Sequence, residues 1–174
     1  GADSVDSDFA RESLMAYLQR LERKGLVSEY YDVRTGKASD YRLNITDDTP
    51  LLLLAVWHHF NTTGDLAFLR RAYPGARRAA NYILAQRDDR GLVWCTSKGT
   101  WEEGIVGWRN VIENYTISGA STEVNSDCYA ALGAVAAMAK RLKKKADNVA
   151  FELARDELRT AINTHLIDPE TGLY

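Results

Sequence analysis

The run Pro50-Leu51-Leu52-Leu53-Leu54-Ala55-Val56-Trp57 constrains the fold more than any other segment, because a helix built from it is apolar almost all round. Such a helix is buried on most faces and does not lie on a surface. It is far short of the ~20 residues a membrane-spanning helix needs, so it predicts an inner helix of a globular domain. The helix should open at Asp48 or Thr49, with Pro50 at the first helical position, where its missing N–H costs nothing. It should stop near Gly64.

The rest of the chain has the same helical period. From Ser7 to Lys24, Phe9, Leu14, Ala16, Tyr17, Leu18 and Leu21 recur at helix spacing, with Gly25 as a C-cap. Turn-forming polar residues then run to Asp48. Asp65 to Arg71 reads as a short helix, and Pro74 as the start of another that ends near Arg87. Asp88 to Thr122 is long and irregular and holds three of the 4 Trp residues. A connection of that length in a compact domain is usually functional or disordered, and its aromatic content argues against disorder. Glu123 to Lys144, Ala-rich in its middle, and Asn148 to His165 complete the helices. No strand-like alternation survives beyond a few residues. The fold class is all-α.

Composition narrows the function classes. The 174 residues make one domain with a substantial core. A formal net charge of −2 lacks the basic footprint of a general nucleic-acid binder. At 26% charged residues the chain is neither membrane-like nor disordered. The first residues, Gly1 to Asp6, lack the charged-then-apolar plan of a signal peptide and fit a tag remnant or an internal cut. Cys95 and Cys128 belong to no C-x-x-C pair and read as free thiols of a reducing cytoplasm. The Asn-x-Thr sequons at Asn44, Asn61 and Asn114 then read as chance matches. No His, Cys or carboxylate spacing suggests a metal, and no phosphate loop or nucleophile elbow is present. No cofactor is implied.

A weak repeat supports helical hairpins. Asp32-Val33-Arg34-Thr35-Gly36, Asp88-Asp89-Arg90-Gly91 and Asp168-Pro169-Glu170-Thr171-Gly172 each place an acid at a turn and a glycine after it. The Asp starts the turn and the Gly takes the positive φ. The spacing is uneven, so long hairpins with variable loops fit better than a short-period solenoid.

Residues 99–122 concentrate the side chains a saccharide site needs. Trp101 and Trp108 offer flat apolar faces for pyranose rings. Glu102, Glu103 and Glu113 offer carboxylates, and Arg109 and Asn110 offer partners for hydroxyls. Glycoside hydrolysis needs two carboxyl groups about the scissile bond, one of them protonated. The plainer alternative is a surface loop whose Trp residues pack on the helices. Asn44 to Pro50 is either a helix cap with a spare acid or a carboxylate at a positive helix end that holds sugar hydroxyls. Ser121 to Asn125 is a helix start with Glu123 in its first turn.

At these segments the chain resembles a known family. Asn44 to Leu54, Trp57 and Thr63 to Leu69 resemble the opening of the inner helix in glycogen-debranching-enzyme-like amylo-α-1,6-glucosidases, members of the six-hairpin glycosidase superfamily. Trp108 to Tyr115, Ser118 to Asn125 and Tyr129 to Leu132 resemble their catalytic loop and following helix. The resemblance implies an (α/α)6 toroid that hydrolyses α-glucosidic bonds by inversion with two carboxylic acids. It implies Asp48 as a sugar-binding acid, Trp108 as a subsite aromatic and Glu123 as a carboxylate near the scissile bond. The family's loop often reads Trp-x-Asp with that Asp as general acid, and here the position is Asn110. Either Glu113 or Glu123 takes the role, or the protein is a weakened relative. The general base falls in later hairpins that no segment here matches.

The expectation is therefore a single domain over 1–174 that forms the N-terminal portion of such a toroid, about half of it. Twelve helices of ~14 residues with ~6-residue connections need about 240 residues. The remainder would come from further chain or a second chain. Glu113 and Glu123 are the expected catalytic carboxylates, with Asp48, Trp101, Trp108, Arg109 and Asn110 around an α-glucan substrate. The fragment alone should be inactive. The alternatives are a catalytically silent carbohydrate-binding or scaffold module and a helical-repeat protein that binds peptide.

Overall fold

The computed structural model describes residues 6–28, 30–32, 34–39, 45–95 and 119–174. They form five helices, α1 (Ser7–Arg20), α2 (Asp48–Thr63), α3 (Leu66–Ala85), α4 (Thr122–Arg141) and α5 (Lys145–His165), with a two-stranded hairpin of β1 (Tyr30–Tyr31) and β2 (Ala38–Ser39). The all-α expectation holds, and the helices fit part of an (α/α)6 toroid.

The inner helix is where the apolar run predicts it. Leu53 and Val56 of α2 are fully buried, and Leu52 and Phe60 nearly so. The helix stops at Gly64, whose φ of 68° lets its N–H reach Phe60 O. Asp65 then caps α3, accepting the Phe68 N–H at 2.9 Å. The two helices expected on either side of Pro74 are one. Their buried faces are continuous (Phe68, Leu69, Ala72, Tyr73, then Ala76, Ala79, Ala80, Ile83). Pro74 lies on the exposed side, as does Arg70, whose carbonyl loses a partner to the ring. Packing on both sides outweighs the one lost hydrogen bond.

The first helix ends at Arg20, short of the expected Lys24. Glu22 to Leu26 instead form a turn closed by Glu22 N–H to Leu26 O at 3.0 Å. Within it Gly25 has φ +110°, and a Cβ there would lie 2.4 Å from Arg78 O of α3. The turn drops Leu26 and Val27 into the core. The hairpin pairs Tyr30 with Ser39 and Tyr31 with Ala38; strands of two residues are too short for alternation to reveal them. Tyr31 anchors it, its hydroxyl donating to Arg20 O at 3.0 Å and its ring edge-on to Tyr17 at 5.2 Å.

Two of the repeated acidic turns are built alike. Asp32 O accepts from Gly36 N–H at 2.7 Å while Asp32 N–H donates to Lys37 O at 3.0 Å; Asp168 does the same with Gly172 and Leu173 at 2.8 and 2.7 Å. In each, the Asp carboxylate accepts the N–H groups two and three residues on. Asp88 makes a tighter version, its O accepting the Gly91 N–H at 2.9 Å and its N–H donating to Leu92 O at 2.8 Å, while its carboxylate accepts the Leu92 N–H.

Packing joins α2 to α3 and α4, α4 to α5, and α1 to α2 and α3. The single core therefore centres on α2, α3 and α4. His59 of α2 is inside it, 1% exposed and edge-on to Phe68 at 4.5 Å. Adjacent His58 faces out.

Candidate functional site

Two neighbouring helices, α2 and α4, begin at the same end of the domain, and both begin with acids. Asp47 and Asp48 open α2; Glu123 lies in the first turn of α4 and Asp127 one turn on. Glu123 and Asp127, four apart, share a face of their helix. All four side chains are half-buried. The sequence expectation named Asp48 and Glu123, and each lies near enough to Asp47 for its charge to act there.

Asp47 and Asp127 are additions to the expected site. Asp47 occupies the N-cap position, but its backbone is helical (φ −67°, ψ −18°) and its side chain makes no capping bond. Burial, then the charge of Asp48 and more weakly those of Glu123 and Asp127, push its carboxyl up to about 6. Burial and the Glu123 charge likewise raise Asp127. In both, desolvation and the repulsion of neighbouring carboxylates act in the same direction. The signal for Asp127 was its spacing of four from Glu123. Asp47 had none, since a sequence cannot say which of two adjacent acids turns inward.

Local bonds fix Asp48. The Thr46 hydroxyl donates to Asp48 Oδ2 at 2.9 Å, and Asp48 N–H donates to Thr46 Oγ1 at 3.3 Å. One residue on, the buried Thr49 hydroxyl accepts the Val27 N–H at 3.3 Å, tying the start of α2 to the chain leaving α1. Tyr17 of α1 lies beside this end, its phenol raised by burial and by the Asp48 charge. A groove of about 280 Å³ between α1 and α2 includes Tyr17, Asp48, Leu14 and Leu51 in its lining. A second, of about 540 Å³, lies between α4 and α5 and is lined in part by Thr122, Tyr129, Arg159 and Tyr174.

Behind the acids, Cys95 pairs with Gly119 through reciprocal backbone bonds of 2.9 and 2.8 Å. The Cys95 and Cys128 side chains are both buried. Burial chiefly, with a contribution from the Asp47 charge, pushes the Cys95 thiol up to about 12, and Cys128 is raised well above its ordinary value. Neither thiol is a nucleophile in that state. Trp101, Trp108, Arg109, Asn110 and Glu113, with Glu102 and Glu103, lie outside the described residues. Among the described residues no three of His, Cys, Asp or Glu are grouped to hold a metal ion, and no helix is long and apolar enough to cross a membrane.

A half-buried carboxyl titrating near 6 beside acids on two helices can hold a proton and bind hydroxyls, the pairing that glycoside cleavage uses. Comparison with known proteins identifies a glycosidase domain. Residues 40–174 match the bacterial alpha-L-rhamnosidase 6 hairpin glycosidase domain. The fold is similar to that of a rhamnosidase from Klebsiella oxytoca solved with rhamnose bound: TM-score 0.78 and 19% identity, over 98% of this chain and 31% of that one. It is also similar to a GH78 family rhamnosidase of Bacillus sp. GL1, with TM-score 0.63 and 22% identity, over 94% of this chain and 18% of that one. The chain thus spans less than a third of either relative. No curated protein sequence matches it.

The six-hairpin superfamily expected from the sequence is upheld, whereas the debranching family within it is not the one that matches. The helix openings and acids that carried the resemblance do not by themselves specify the sugar. The α-glucan substrate expected from that family has no support from these rhamnosidase matches. The chain belongs to the bacterial α-L-rhamnosidase six-hairpin glycosidase family.

Proposed function

We propose that this chain supplies one acid-lined side of the sugar site in a glycoside hydrolase that cleaves α-L-rhamnosides. The observation that carries the proposal is that the acids opening α2 and α4 lie within electrostatic reach of one another, Asp48, Glu123 and Asp127 all raising Asp47. In this reading Glu123 is a carboxylate beside the scissile bond, and Asp48 holds sugar hydroxyls. Asp47 is a carboxyl that keeps its proton under mildly acidic conditions. Glu113 remains the second candidate acid, and Trp101, Trp108, Arg109 and Asn110 the candidates for stacking and hydroxyl contacts. The reaction needs no cofactor, because acid, base and water suffice for inversion. A cytoplasmic setting belongs to the same reading, since a chain with so few cysteines has no disulfide framework of the kind secreted domains depend on.

Turnover would need the remaining hairpins, from further chain or a second chain, since a second carboxyl must face the first across the sugar. The 174-residue chain alone should therefore bind without turning over. The test is an assay of the longest natural chain carrying this domain on an aryl α-L-rhamnoside, with maltooligosaccharide beside it. Cleavage of the rhamnoside, abolished by Glu123→Gln, is expected. Cleavage of the glucan alone would overturn the substrate assignment.

A further inference from the structure

Asn125 of α4 is fully buried, and among the described residues its side chain bonds to two backbone stems. Its Oδ1 accepts the Val93 N–H at 2.8 Å; its Nδ2 donates to Val93 O at 3.0 Å and to Ser121 O at 2.8 Å. Val93 comes two residues before Cys95, and Ser121 two residues after Gly119. Cys95 and Gly119 are themselves paired through their backbones. One amide therefore clamps both stems, where the chain enters and leaves residues 96–118.

The clamp lies directly behind the acids. Ser121 is the N-cap of α4, and the turn it begins carries Glu123. Cys95, on the other stem, feels the Asp47 charge. Only an amide can accept from an N–H and donate twice from so small a group; a carboxylate accepts only, and an aliphatic chain does neither. A buried apolar residue could fill the space but would leave the Val93 N–H and C=O unpaired, so the amide fixes the stem where packing alone would not.

We propose that Asn125 is a positioning residue for glycoside cleavage, setting the first turn of α4, and Glu123 with it, against the stem that borders Asp47. The proposal rests on the acid mouth being the sugar site, as proposed above. It goes beyond that reading by assigning a role to a residue that touches no sugar.

The experiment compares Asn125→Ala, Asn125→Asp and a control, Leu158→Ala, in the longest natural chain carrying the domain. Leu158 is fully buried in α5, so its truncation tests lost packing alone. Aspartate keeps the acceptor for Val93 N–H and loses both donated bonds. It remains informative if alanine prevents folding. At a temperature where the variants are folded, Asn125→Ala should lower kcat on an aryl α-L-rhamnoside by roughly tenfold to a hundredfold, the cost of a misplacement of about 1 Å. KM should change far less. Asn125→Asp should lower kcat and displace the acid limb of the pH profile. Leu158→Ala should lower Tm and leave kcat and the profile unchanged. Asn125 variants that behave like Leu158→Ala would overturn the proposal while leaving the functional reading intact. No rhamnoside cleavage by the unsubstituted protein would overturn the functional reading, and the proposal with it.

Discussion

The Asp47 carboxyl, at the start of α2, lies close enough to Glu123, in the first turn of α4, for the Glu123 charge to raise it. Two helices that are neighbours in the core thus put their first acids into one electrostatic unit. The unit exists because α2 and α4 run side by side with their N-termini together.

Asp47 should titrate near 6, well above the ordinary 3.8 of an aspartate, with its side-chain carboxyl carbon followed by NMR. Glu123→Gln and Asp48→Asn should each lower that midpoint, Asp48→Asn by more. A midpoint near 3.8 in the unsubstituted protein would show that the acids do not interact as described.

The same shift sets a pH dependence of stability. The folded protein holds the Asp47 proton more tightly than the unfolded chain, so this group's contribution falls as pH rises from about 4 to about 6. Above that window the folded state carries the full penalty. Asp47→Asn should therefore raise stability at pH 7 by up to about 1–2 kcal/mol, after discounting for a half-exposed group, and change it little at pH 3. Urea unfolding at the two pH values checks both halves.

Much of this arrangement can be read from the residues, and the failures have physical causes. Asp48, Pro50, the apolar run and Gly64 mark α2 from end to end, because cap, helix and stop are all local. Pro74 misleads, because the continuous buried face that overrides it comes from Leu18 and its neighbours, far away in sequence. Gly75, beside it, would bring a Cβ to 3.1 Å from Leu18 Cδ2, a closeness no local pattern announces. Glu123 was visible as a first-turn acid, but its pairing with Asp47 spans two helices. The debranching family is not the one that matches, because the helix openings that carried the resemblance are local features and do not identify a sugar.

Gly25 should tolerate no side chain. Its φ of +110° and the 2.4 Å approach to Arg78 O act together, so Gly25→Ala should cost at least about 2 kcal/mol. Gly36, at φ +66° with open space around it, should cost only about 1 kcal/mol on the same change. Thermal unfolding of the two variants makes the comparison; equal losses would mean that the Arg78 contact does not matter.

At the far end of the domain, the Tyr73 hydroxyl donates to Asp147 Oδ2 at 2.7 Å, which also meets Arg77 Nε at 3.0 Å. These bonds pin α3 to the first turn of α5 and hold the Asp147 carboxyl below its usual range. Tyr73→Phe should destabilise by about 1 kcal/mol. A double-mutant cycle with Asp147→Ala should show coupling of about 0.5–1.5 kcal/mol. Additive losses would remove the pin from the account.

The most direct test of the central claim is an NMR titration of the isotopically labelled 174-residue chain with L-rhamnose, with D-glucose as comparison. The account predicts saturable amide shifts at Asp47, Asp48, Glu123 and Asp127 with L-rhamnose, and smaller ones with D-glucose. Shifts confined to the groove near Tyr129 and Tyr174, or none at the four acids, would contradict it.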